Sequence, residues 1–288
     1  MRLDGRRFSN NVSDRRGTGG GKTIAGIGGI GGMIIVALVV WLAGGDPIAV
    51  LNQSTPYATS DEIRGSYVPS DKENEYAEFA SRVLAGTEDV WKDQFKKIGL
   101  TYREPKMVLY TGSVTSGCGN ATAQVGPFYC SADETIYIDL SFFEQMEKEM
   151  GAGGDFAYAY VIAHEVGHHV QYLLGTLDEA HSAQARSSRT EANKISVRTE
   201  LQADFYAGVW AYHDNKMFNS LEKGDIEEGL NAASKIGDDY LQKQAQGYAV
   251  PETFNHGRSD QRVRWLEKGL TSGNIRYGDT FTPSYSSL

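Results

Sequence analysis

The stretch from Asp155 to Gly175 is the strongest constraint on how this chain folds. Phe156, Ala159, Ile162, Ala163, Val166, Val170, Leu173 and Leu174 recur at helical spacing, with Asp155 suited to cap the start and Gly175 to stop the end. The apolar stripe has to be buried, yet the same helix carries His164, Glu165 and His168. Positions i and i+4 lie one above the other on a helix, so the two imidazoles project the same way and, once buried, need partners. A shared Zn²⁺ would satisfy both. Glu165 lies about 100° round the helix from His164, where it can reach a metal-bound water without displacing a histidine. Zinc lowers the pKa of such a water, and a carboxylate there takes its proton and hands it to a leaving amine. The plainer reading is a pair of core histidines, each with its own partner.

A catalytic zinc needs a third protein ligand and an open position. A second long helix, expected from about Glu191 to Lys216, offers Glu200 and Asp204, again at i and i+4. We expect Glu200 to bind the metal and Asp204 to accept the remaining N–H of His164, with the reversed roles as an alternative. Ala203, Ala207 and Gly208 would let this helix approach the first closely. His169 points about 100° away from His168 and reads as structural; His181 and His213 stand in polar surroundings. His256, just ahead of a last helix, is a candidate donor to a developing oxyanion, with Arg258, Tyr206 and Tyr248 as substitutes and an ordinary loop histidine as the even alternative.

The remaining elements read as follows. Helical spacing runs from Glu73 to Ile98, strand-like runs cover Lys106–Tyr110 and Thr135–Leu140, and Ser141 with Glu144 makes a capping box for a helix to about Met150. Asp178–Thr190 reads as a polar, mobile stretch. Asp225 opens a helix reaching Tyr240, and Ser259 caps one ending at Gly269. The expected class is α+β, mainly helical with a small sheet.

A second feature bears on location. Between Lys22 and Asp46 no residue is charged, and the stretch ends in the run Met33–Leu42. That is long enough for one transmembrane helix, with Trp41 at the far interface. Residues 1–23 hold six basic residues against two acidic ones, while the chain as a whole carries a net charge of −9. The positive-inside bias therefore predicts an N-terminus in the cytoplasm and a body exported across the cell membrane on an uncleaved single-pass anchor. The pI of about 5.2 argues against a nucleic-acid binder with a basic face. Gly28 and Gly32 form a GxxxG pair through which such anchors can dimerise, a weak signal in so glycine-rich a stretch. In an oxidising compartment Cys118 and Cys130 would pair, stabilising the fold by about 3 kcal/mol in the chain-entropy view. The expected division is a cytoplasmic segment at 1–23, an anchor at 24–42, a linker at 43–70, a domain at 71–270 and a tail at 271–288.

The ordered motifs RLDGRRFSNNVSDRRG, CGNATAQVGPFYC, HEVGHHVQ, ELQADFYAGVW and HGRSDQRVRW, with the Gly-rich span, resemble those of the bacterial neutral zinc metallopeptidases. The resemblance covers most of residues 2–268. It implies a zincin-like fold with zinc on His164, His168 and Glu200, acting on polypeptides. Two rivals remain: a membrane-tethered interaction protein whose zinc is either structural, closed by His169 or Asp204, or vestigial, and a zinc hydrolase of cell-wall peptides.

Overall fold

A computed structural model of the protein describes residues 1–17 and 67–288. The expected anchor at 24–42, its GxxxG pair and the linker as far as residue 66 lie outside the described residues. Among the described residues no helix is long and apolar enough to cross a membrane.

The N-terminal residues are packed onto the domain expected at 71–270. Val12–Asp14 forms strand β1, which pairs in parallel with β2 (Lys106–Tyr110), Val12 opposite Met107. Met1 and Leu3 join the hydrophobic core. Arg6 forks onto the buried Asp214 at 2.8 and 3.2 Å, and Arg7 reaches Glu88 and Asp89. Arg6 and Arg7, two of the basic residues read as a topology signal, thus neutralise acids of the body.

The architecture is mixed α+β, mostly helical with a small sheet. Helix α1 (Asp71–Lys97) starts at a capping box in which Ser70 and Glu73 satisfy each other's backbone N–H groups. Beyond β2, β3 (Ser113–Ser116) and β4 (Gly119–Thr122) make a separate hairpin. β5 (Phe128–Cys130) and β6 (Thr135–Asp139) complete a four-stranded sheet of order β1-β2-β6-β5, parallel except for β5 at its edge. The Cys118–Cys130 disulfide ties the hairpin turn to that edge strand.

Helix α2 (Ser141–Lys148) does not use Ser141 as its cap; Leu140 holds that position, and the Asp139 carboxylate accepts from the Ser141 N–H instead. Helix α3 (Asp155–Leu173) carries the histidines. Its cap is Gly154 rather than Asp155, at a φ of 127° that favours glycine, and Glu228 accepts from the Phe156 N–H. Gly175, at φ 82°, turns the chain out of α3 as expected. The first half of the stretch expected to be mobile, as far as Gln184, lies in helix α4 (Thr176–Gln184), with Leu177 and Ala180 buried. Helix α5 (Arg189–Phe218) follows. The helix expected to reach Tyr240 is divided at Gly237 into α6 (Asp225–Lys235) and α7 (Asp238–Gln246). In α8 (Ser259–Ser272) Arg258 holds the cap position, while the Ser259 hydroxyl donates to Ser234 O.

α3 lies at the centre of the core, buried on nearly every side. α5 crosses it at Gly167, where an added Cβ would stand 2.8 Å from Ala203 O and 3.0 Å from Ala203 Cα. Only glycine permits that approach, and it brings Glu200 and Asp204 up to the histidines. Gly208, expected to serve the same contact, faces α8 instead, against Leu266 and Gly269. The C-terminal residues are packed rather than a loose tail: Thr280 and Leu288 are buried, and Leu288 O accepts from Arg264 at 2.6 Å.

Candidate metal centre

The structure brings His164 and His168 of α3 together with Glu200 of α5. One ligand atom from each lies within 4.8 Å of the others. His164 Nε2 is 3.2 Å from Glu200 Oε2, and His168 Nε2 is 3.4 Å from Glu200 Oε1. Ligands at about 2.0–2.1 Å from a tetrahedral ion stand about 3.3 Å apart, so the spacing fits zinc, as does a set of two imidazoles and one carboxylate.

Both Nδ1 atoms are committed elsewhere, which turns both Nε2 atoms toward Glu200. His164 Nδ1 donates to Asp204 Oδ1 at 2.8 Å. Asp204, fully buried, also accepts from the Tyr160 hydroxyl at 2.6 Å and from Arg262 on both oxygens, at 2.8 and 2.9 Å. His168 Nδ1 donates to Gln171 Oε1 at 2.8 Å. Asp204 thus stands behind His164, where the sequence reading put it, and Glu200 stands between the rings.

The electrostatics favour positive charge here. Burial works against a charged His164, but Asp204 and Glu200 outweigh it and hold its pKa up to about 10. Glu200, also opposed by burial, is held well below the usual carboxylate range by His168 and His164. Asp204 is lowered to about 2, burial being outweighed by Arg262 and His164. Glu165 goes the other way: burial raises its pKa.

His164, Glu165, His168 and Glu200 line a cleft of about 440 Å³ that runs between the β5 edge and the helices, with Phe128, Phe142, Val161 and Leu241 among its apolar walls. His256 lines it too, its Nδ1 donating to Asp238 at 3.1 Å. Asp238 also accepts from the backbone N–H groups of Asn255, His256 and Gly257, which fixes the loop. Burial opposes a charge on His256, but Asp238 and then Glu200 raise its pKa. The substitutes proposed for it are placed elsewhere: Arg258 pairs with exposed Asp260, Tyr206 packs on Trp91 in the core, and Tyr248 is exposed. His169 is structural, its Nε2 donating to Arg103 O and its Nδ1 accepting from the Tyr129 hydroxyl. His213 bonds Gly273 O, and His181 lines the cleft.

Sequence reasoning missed Tyr160, Gln171 and Arg262. The first two carried a signal, being one turn before His164 and one turn after His168 on the same helix. Arg262 comes from α8, and no spacing announces it.

Two histidines and a carboxylate around one point, on the wall of a cleft, are a ligand set that could hold one metal ion. The chain belongs to the family described as "Putative neutral zinc metallopeptidase", whose profile matches residues 1–281. The uncharacterized protein YpfJ of Escherichia coli (strain K12) is 48% identical over 99% of this chain and 100% of its own length. The uncharacterized protein Rv2575 of Mycobacterium tuberculosis is 39% identical over 84% of each chain. No solved structure matches the chain.

Proposed function

We propose that the protein is a zinc-dependent endopeptidase with a zincin-like site, in which His164, His168 and Glu200 hold the metal and Glu165 moves the proton. The observation that carries this reading is the convergence of the three ligand atoms within 4.8 Å, with both Nδ1 atoms already bonded behind them. When bound, zinc supplies Lewis-acid polarisation and a lowered pKa for water. Glu165, on the cleft wall, takes a proton from the attacking water. It returns that proton to the amide nitrogen as the C–N bond breaks. Its raised pKa suits a group that acts first as base and then as acid. His256, steadied by Asp238, donates an N–H to the oxygen on which charge develops. The apolar cleft walls exclude water and accept the side chains of a polypeptide.

The structural-zinc rival needs His169 or Asp204 as a fourth ligand. The bonds of His169 to Tyr129 and Arg103, and of Asp204 to Arg262 and Tyr160, speak against both. The disulfide supports an oxidising compartment for the body, together with residues 1–17 paired to it.

The test pairs metal analysis with digestion of a peptide library. Wild type is expected to hold one zinc per chain and to cleave; Glu165→Gln should keep the zinc and lose cleavage. Undiminished cleavage by Glu165→Gln would remove Glu165 from the mechanism. A zinc-free wild type would end the reading.

A further inference from the structure

Behind His168 runs a line of neutral amides with only one possible sense. Gly278 O, a backbone carbonyl in the C-terminal segment, can only accept, so the Gln202 group 2.8 Å from it is the amide nitrogen. That turns Gln202 Oε1 toward Gln171, whose own nitrogen donates to it at 3.0 Å and to Thr199 O at 2.8 Å. Gln171 Oε1 is thereby left facing His168 Nδ1 at 2.8 Å, where it must accept. Gln171 is fully buried and Gln202 nearly so, so neither amide can reverse without leaving polar groups unsatisfied. The far end is fixed in turn: the Thr280 hydroxyl donates to Arg198 O at 2.7 Å, and the Arg198 guanidinium donates to Thr280 O.

We propose that Gln171 is a positioning residue for His168, holding its proton on Nδ1 and its Nε2 lone pair toward the metal. Gln202 and the Gly278 carbonyl set the sense of that bond. The segment around Gly278–Thr280, far from the cleft in sequence, is then part of the support of the metal site. The inference rests on the zinc reading of the same site. It adds that the two imidazoles are oriented by separate devices, and that the C-terminal segment is one of them.

The experiment measures zinc affinity of the full chain by competition with a chelating indicator, with thermal unfolding of the metal-free proteins alongside. Gln171→Met keeps the bulk and removes the acceptor; its affinity should fall about 10- to 100-fold. Gln171→Glu, kept protonated by burial and by the two oxygens it would face, retains both an acceptor for His168 Nδ1–H and a donor to Thr199 O, and should return affinity to within about threefold of wild type. Gln202→Met should weaken zinc by about threefold in the wild-type background and have no further effect on top of Gln171→Met, because both act through one bond. Wild-type affinity in Gln171→Met overturns the proposal. So does a Gln171→Glu variant no better than Gln171→Met, which would reduce Gln171 to packing, or a Gln202→Met loss that adds in full. Should Gln171→Met fail to fold, affinity unchanged in Gln202→Met or unrecovered in Gln171→Glu overturns it alone. A wild type that takes up no zinc sinks the peptidase reading and this inference together; tight zinc in wild type and Gln171→Met alike sinks only the inference.

Discussion

On the His164 side of the cradle every supporting group is charged or bonded to a charge: Asp204 accepts from the ring, from Tyr160 and from the buried Arg262. On the His168 side the support is neutral from the ring to the backbone carbonyls on which its two side-chain amides end, and a charge, Arg198, enters only at the far end. The two rings are one helical turn apart and face the same carboxylate, yet they answer to different physics. A buried ion pair leaves an uncompensated charge when one partner goes, whereas a neutral bond leaves an unsatisfied dipole. The ionic half is therefore brittle, and the neutral half can be adjusted in small steps.

The largest expected effect follows from that difference. Asp204→Ala strands Arg262 in the core and should lower unfolding stability by about 3–5 kcal/mol. Gln171→Met should lose only about 1–3 kcal/mol. Urea unfolding of the metal-free proteins compares them. Removing the orphan as well, in Asp204→Ala with Arg262→Met, should recover much of the loss. Equal losses for the two single variants, or no recovery in the double, would dissolve the contrast.

The two halves were also unequally legible in the sequence. His164, His168, Glu200 and Asp204 declare themselves because each pair repeats at i, i+4 on a helix that must be buried. Arg262 does not, since it reaches the site from another helix, and either of the two arginines in DQRVRW looks like any surface residue. Local elements were readable wherever periodicity or a stop residue governed them, as in α3 and at Gly175. The cap of α8 was misplaced because Ser259 turns its hydroxyl to Ser234 O, a partner set by tertiary packing. At the N-terminus charge asymmetry marks either a membrane side or a complementary surface, and the pairing of Arg6 with Asp214 and of Arg7 with Glu88 is not visible in the sequence. The tail looked loose because its anchors are backbone carbonyls, which sequence does not display.

Gly167 lies where the halves meet, so its replacement should injure both alike. In Gly167→Ala the new methyl meets the Ala203 backbone, forcing α3 and α5 apart. Stability should drop by about 1–3 kcal/mol. Zinc affinity should drop too, because Glu200 withdraws from both rings. Since the obstacle is backbone, adding Ala203→Gly should not restore either quantity. Restoration would show that the helices have slack at the crossing, and that the spacing of the cradle is set elsewhere.

Acid should separate the halves without any mutation in the cradle. His169, beside the neutral half, is lowered to about 4, mainly by burial. Its unfolded value is about 6.5, so the unfolded chain takes up a proton that the folded one refuses. The stability linked to its neutral form is present above pH 6.5 and lost as pH falls from there toward 4. Between pH 7 and pH 5 that comes to about 2 kcal/mol. Asp204, lowered to about 2, carries the same sign in a lower window: its contribution is present above its unfolded value of about 3.8 and lost only below it. The neutral side should thus weaken first and the ionic side last. Unfolding free energies of metal-free wild type and His169→Phe, measured from pH 7 to pH 5, test this directly. The variant starts lower, having given up its bonds to Tyr129 and Arg103, but its stability should fall less steeply with acid. Parallel slopes would mean that His169 accepts its proton in place and that the interior behind His168 tolerates charge after all.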